Sequence, residues 1–183
     1  MATGIPLLTA EQFAELTNIE GPCELVRGKV VVSPPLSFNS GHLCATVIRA
    51  VGGYVRANGL GMVVGSGAGV VTERDPDTVR GADVAFYSYQ AVPKGTRPQP
   101  YAANPPELVF EVRSPSQSWP EVHKKVAEYL EAGVQTVCVV DGPSQKVVVH
   151  YADRPSETLD AGQSLRRPEI LGDLAVAVGD LLD

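Results

Sequence analysis

The chain predicts an α/β fold in one domain across residues 1–183, built on a central sheet of mixed direction flanked by helices. Three observations carry this. Valine-rich apolar runs and helical patterns follow the order helix, strands, helix, strand, not the regular alternation of a doubly wound sheet. No internal repeat and no low-complexity linker divides the chain. Its 183 residues suffice for one domain with a proper core and leave little room for a second.

Each element has a local reason. Thr9-Ala10-Glu11-Gln12 reads as a capping box opening a short helix through about Leu16. Glu24 to Val32 reads as two strands folded about Arg27-Gly28, ended by Pro34 and Pro35. A helix is predicted from near Ser40 to Asn58, with Leu43, Val47, Ala50, Val51 and Tyr54 as its buried stripe and Gly59 capping its end. Met62 to Thr72 is strand-like and glycine-rich, and Asp75-Pro76-Asp77 turns the chain. A strand follows around Val84 to Tyr87, then a proline-rich loop from Pro93 to Pro106, of a length that is often functional. Next come the strand Leu108 to Val112, the helix Trp119 to Ala132, and the strands Thr136 to Asp141 and Lys146 to Tyr151. Ser118-Trp119-Pro120-Glu121 supplies a second capping box. The tail carries short strands and an amphipathic end, Leu171 to Leu182.

Composition narrows the function. Apolar residues at 44% and charged residues at 20% are an ordinary globular balance. No apolar run approaches the roughly 20 residues that span a bilayer, so no membrane partner is expected. Met1 to Pro6 lacks the features of a secretory signal. Cys23, Cys44 and Cys138 are scattered, which fits a reduced, cytoplasmic setting. A net charge of −6 argues against a protein that coats nucleic acid but leaves room for a local basic rim. Arg27, Arg80, Lys94, Arg97, Arg113 and Lys124 are its candidates, against the plainer reading of solvated surface charge.

Two acids inside apolar strands mark the candidate site. Asp83 lies in Gly81-Ala82-Asp83-Val84-Ala85-Phe86, and Glu111 in Glu107-Leu108-Val109-Phe110-Glu111-Val112-Arg113. A carboxylate buried in a sheet costs several kcal/mol, by the usual order of magnitude, unless it is paired or binds a cation. Strand alternation puts Val109, Glu111 and Arg113 on one face, so an acid for a metal and a base for phosphate charge stand together. Mg²⁺ takes one or two protein carboxylates and keeps several waters, so two acids suffice. On the helix, Val122, Val126, Tyr129 and Leu130 form the buried stripe, Lys125 falls on its shoulder beside Tyr129, and Lys124 points to solvent.

Each of these residues also has a structural reading. Asp83 fits an aspartate capping backbone amides, Glu111 an ion pair with Arg113 or Lys125, and Lys125 a lysine covering apolar surface. His42 is a candidate metal ligand or proton shuttle, although a lone histidine is more often a packed or surface residue. His123 reads as structural, and Asp141 before Gly142-Pro143 as a hairpin-turn residue. No Gly-x-Ser-x-Gly elbow accompanies Ser114, His123 and Asp141, and Gly65-Ser66-Gly67-Ala68-Gly69 lacks the Gly-Lys-Ser/Thr of a phosphate loop.

Several segments together resemble the Uma2 family, a bacterial group with the PD-(D/E)xK nuclease fold. They are Glu24 to Val30, Ser33-Pro34-Pro35 with His42 following, Ala82 to Phe86, Pro106 to Ser116, Lys125 to Tyr129 with Ala132-Gly133-Val134, and Val139-Val140-Asp141. The resemblance implies a restriction-endonuclease-like fold and a Mg²⁺- or Mn²⁺-dependent endonuclease acting on nucleic acid, DNA first, with room for a homodimer. It makes Asp83 and Glu111 the metal acids, moves the motif lysine from the strand onto the helix as Lys125, and matches Glu24 to an acid often found near such sites; His42 and Tyr129 are further supporting candidates. Alanine stands before Asp83 where the family usually has proline, a loss of rigidity but not of a ligand. Arg113 occupies the place of the strand lysine; it keeps the charge but, with a pKa above about 12, is a poor proton acceptor. Two rival expectations are a non-catalytic binding module on the same fold and a hydrolase of smaller phosphoesters.

Overall fold

The computed structural model describes residues 6–17 and 19–183. Helix α1 (Ala10–Ala14) opens on the expected capping box, with Thr9 Oγ1 accepting from the Gln12 amide and Gln12 Oε1 from the Thr9 amide. Strands β1 (Cys23–Val26) and β2 (Lys29–Val32) form a hairpin whose two turn residues, Arg27 and Gly28, have φ of 48° and 74°. A Cβ on Gly28 would lie 2.5 Å from that of Leu7, so glycine is required there. Helix α2 (Phe38–Ala57) begins two residues before the expected Ser40, because Ser37 caps it through the Ser40 amide.

Strands β3 (Gly61–Glu73) and β4 (Thr78–Ser88) form a long hairpin, followed by β5 (Leu108–Arg113), α3 (Trp119–Glu131), β6 (Thr136–Asp141) and β7 (Lys146–Tyr151). The tail holds β8 (Glu157–Asp160), β9 (Ser164–Arg166), α4 (Pro168–Leu171), β10 (Ala175–Ala177) and α5 (Val178–Leu182). The main sheet runs β2-β1-β4-β5-β6-β7-β8, with β3 along the other edge of β4. Only β5 and β6, joined through α3, pair in parallel; the other described pairs are antiparallel. The mixed sheet between helices is therefore as the sequence predicts. Strand β4 begins at Thr78, well before the expected Val84, because Val79, Arg80 and Gly81 continue the ladder with β3.

Helix α2 covers one sheet face, packing Leu43, Val47, Val51 and Val55 with Val84, Phe86, Phe110, Val112 and the C-terminal elements. Helix α3 covers the other, packing Val122, Val126 and Tyr129 with Val109, Val137 and Val139. Among the described residues no helix is long and apolar enough to cross a membrane. Val31 and Val32 on the edge strand β2, with Leu36 and Phe38 after it, leave apolar side chains exposed.

A β-bulge decides where the sheet can hold polar chemistry. Gly65 pairs with Val84 and Ala68 with Ala82, so Ser66 and Gly67 together oppose one residue, Asp83. Both bulge residues have positive φ. Simple alternation would place Ala82 and Val84 on one face; instead Ala82 packs on the α3 side and Val84 on the α2 side. The face switches at Asp83. Bulges re-aim side chains in this way.

Candidate active site

The β4–β5 ladder stops at Val84↔Phe110. Past that pair the strands part, and the Asp83 carboxylate takes over the pairing, with Oδ2 accepting the Val112 amide at 2.8 Å. Glu111 faces α3, as alternation predicts, and its Oε1 accepts the Tyr129 hydroxyl at 2.9 Å. Lys125, one helical turn before Tyr129, brings Nζ to 2.7 Å from Glu24 Oε1 and 3.7 Å from Glu111 Oε2. Glu24 reaches the same place from β1, where it also accepts the Gly81 amide at 3.1 Å. Five expected residues, Asp83, Glu111, Lys125, Glu24 and Tyr129, thus meet between β1, β4, β5 and α3.

Their electrostatics divide the acids into two kinds. Burial pushes the Glu111 carboxyl from its ordinary 4.5 to about 7; Asp83 and Glu24 add to this, and Lys125 and the Tyr129 hydroxyl only partly oppose it. Burial likewise raises Asp83, against the pull of the Val112 amide and Lys125. Burial acts on Glu24 in the same sense, but Lys125 and Arg80 outweigh it and hold Glu24 below its ordinary value. Lys125 is pulled down by burial yet raised overall by Glu111 and Glu24, so it remains an ammonium at neutral pH. Cys44 of α2 lies close enough to feel both acids, and burial with their charge pushes its thiol up to about 12.

The donor set fits a hard divalent cation. Among the described residues, Asp83 Oδ1 and Glu111 Oε2 accept no hydrogen bond. Among the described residues, Asp83, Glu111, Glu24 and Glu128 formally face only Lys125 and Arg80, a surplus of two negative charges. Among the described residues no group of three or more His, Cys, Asp or Glu side chains converges as a metal cage. Two carboxylates with water completing the shell is the pattern this permits, and it suits Mg²⁺ or Mn²⁺ better than a soft metal.

Other expected residues lie apart from this cluster. Arg113 shares the Glu111 strand face, but its Nε donates to Asp141 Oδ1 at 2.9 Å and its Nη1 to the Gln117 carbonyl at 2.9 Å, while the guanidinium lies over Trp119. His42 Nε2 lies 2.5 Å from the main-chain oxygen of Asp183, the residue that follows α5. Asp141, read as a turn residue, is a buried ion-pair partner at the end of β6. Arg80, a rim candidate, is only 6% exposed and lies between Glu128 and Glu24. Arg80 and Glu128 join the cluster without being among the site residues that the sequence predicts. Glu128 is signalled by its place three residues after Lys125, whereas Arg80 lies outside the strand that the sequence predicts from about Val84.

A mixed sheet between helices is an architecture already seen in a crystal structure. The chain superposes with a TM-score of 0.80 on "a putative nuclease belonging to DUF820" from Anabaena variabilis, at 20% identity, covering 96% of this chain and 97% of that one. At that identity the likeness establishes the fold. The profile of the Uma2 family, described as "Putative restriction endonuclease", matches residues 10–179. The chain belongs to the Uma2 family. No curated protein matches it.

Proposed function

We propose that this protein is a divalent-metal-dependent nuclease that hydrolyses phosphodiester bonds, with DNA as the first substrate to try. The observation that carries the reading is the convergence of Asp83 and Glu111, both with raised carboxyl pKa, on the ammonium of Lys125. Family membership and the likeness to a nuclease fold support it.

Asp83 and Glu111 would hold Mg²⁺ or Mn²⁺, which when bound supplies positive charge for a phosphate and acidifies water. The Val112 amide fixes one oxygen of Asp83 and the Tyr129 hydroxyl one oxygen of Glu111, orienting the free oxygens. Lys125, held protonated, donates to a phosphate oxygen or orients the attacking water; it does not take the water's proton. Arg113 reaches a phosphate only by leaving Asp141.

The test is cleavage of plasmid, single-stranded DNA and RNA with Mg²⁺, Mn²⁺ or chelator. Asp83→Ala is expected to abolish cleavage while keeping the wild-type circular dichroism spectrum. Cleavage that survives in that variant, or a wild type that cuts no polymer with either metal, would overturn the reading.

A further inference from the structure

Lys125 is not placed by α3 alone. Its Nζ sits tightly on Glu24 and more loosely on Glu111, at 2.7 and 3.7 Å. Glu24 is in turn held from behind, with Oε2 accepting Arg80 Nη1 at 2.7 Å. Arg80 spends its remaining fork on Glu128, Nε to Oε2 at 2.5 Å and Nη2 to Oε1 at 2.9 Å. Glu128 belongs to α3 and lies one turn from Lys125, so the contacts close a ring: helix, Glu128, Arg80, Glu24, Lys125, helix.

The ring has a consequence for the acid at its mouth. A lysine beside a lone buried glutamate would collapse onto it, and an ammonium in contact with Glu111 Oε2 would occupy the oxygen a cation needs. Here Glu24 competes successfully for the ammonium. It can do so because Arg80 divides its fork between two carboxylates, leaving Glu24 Oε1 for Lys125. Removing the Glu128 charge would let Arg80 draw Glu24 into a two-point grip of its own. Lys125 would then lose its tighter partner and fall onto Glu111.

We propose that Arg80 and Glu128 are positioning residues of this site, acting through Glu24 to hold the Lys125 ammonium off Glu111. This rests on the metal-centre reading above. The test is Mn²⁺ affinity by calorimetry on four proteins: wild type, Glu128→Gln, Lys125→Met, and the two combined. Glu128→Gln is preferred to a change at buried Arg80 because the Glu128 side chain is 21% exposed and glutamine keeps its shape.

The expected result is a loss of about fivefold from Glu128→Gln in the wild-type background, and less than about twofold in the Lys125→Met background. An equal loss in both backgrounds overturns the inference, since a through-space charge effect or a merely structural role does not need Lys125. An unchanged affinity in Glu128→Gln with native near-ultraviolet dichroism also overturns it. Failure of wild type itself to bind Mn²⁺ would overturn the metal reading and this inference with it, an outcome distinct from the other two.

Discussion

Metal binding at this site should be linked to a proton. Burial raises the Glu111 carboxyl to about 7, so at pH about 6 roughly nine-tenths of it carries a proton that a cation must displace, and at pH about 8 roughly one-tenth. The apparent affinity for Mn²⁺ should therefore fall about tenfold from pH about 8 to about 6, equivalent to about 1.4 kcal/mol. Asp83 is raised in the same direction and can only steepen the dependence. Glu24 is lowered and stays ionised across this window, while Lys125 is raised and stays charged, so neither cancels it. Calorimetry in buffers of different ionisation enthalpy counts the protons directly, with about 0.9 expected per Mn²⁺ at the lower pH and about 0.1 at the higher. Glu111→Gln should bind more weakly and lose most of the dependence. A wild-type affinity equal at both pH values, with no proton released, would refute the assignment of Glu111 as a ligand.

Tyr129→Phe removes the hydrogen bond that favours the Glu111 carboxylate, so the midpoint of the same affinity–pH curve should move up; a midpoint that stays put or falls would show that the hydroxyl does not tune this acid. Arg113→Ala strips buried Asp141 of its cation and should cost about 3 kcal/mol in urea unfolding, with Mn²⁺ affinity unchanged. A stability loss well under 1 kcal/mol would mean that the pair contributes as little as a surface one.

Periodicity made much of this legible. The two-residue period of β5 placed Glu111 toward α3, and the helical period of α3 placed Lys125 beside Tyr129 with Lys124 in solvent. The aim of Asp83 was not legible, since it depends on a bulge two strand-residues wide on the opposing strand, at Ser66-Gly67. The glycines there signal irregularity without saying which partner residue they turn. The partner of Arg113 is hidden for a different reason: Asp141 is set opposite by the parallel β5–β6 register, which joins residues far apart in sequence. His42 likewise meets the chain's last residue, a contact no local pattern encodes.

The three acids within this one site act as controls for one another. A structural ion pair should leave its carboxylate at or below the ordinary pKa, as Glu24 is left by Lys125 and Arg80. Asp83 and Glu111 share that burial and that lysine, yet both are raised, so the fold leaves them short of positive charge. Such a group contributes stability that is full below its unfolded pKa, near 4.5 for Glu111, and is lost as pH rises through about 7. For Glu111 the loss is about 3 kcal/mol by pH about 8. Asp83→Asn with Glu111→Gln keeps the Val112 and Tyr129 hydrogen bonds while removing both charges. Without metal, that variant should be more stable than wild type by about 2–4 kcal/mol at pH about 8, and the gain should vanish near pH about 4. Adding Mn²⁺ at the higher pH should then stabilise wild type alone. A variant less stable than wild type at high pH would show that the acids are adequately paired within the fold, and the case for a cation between them would lose its physical ground.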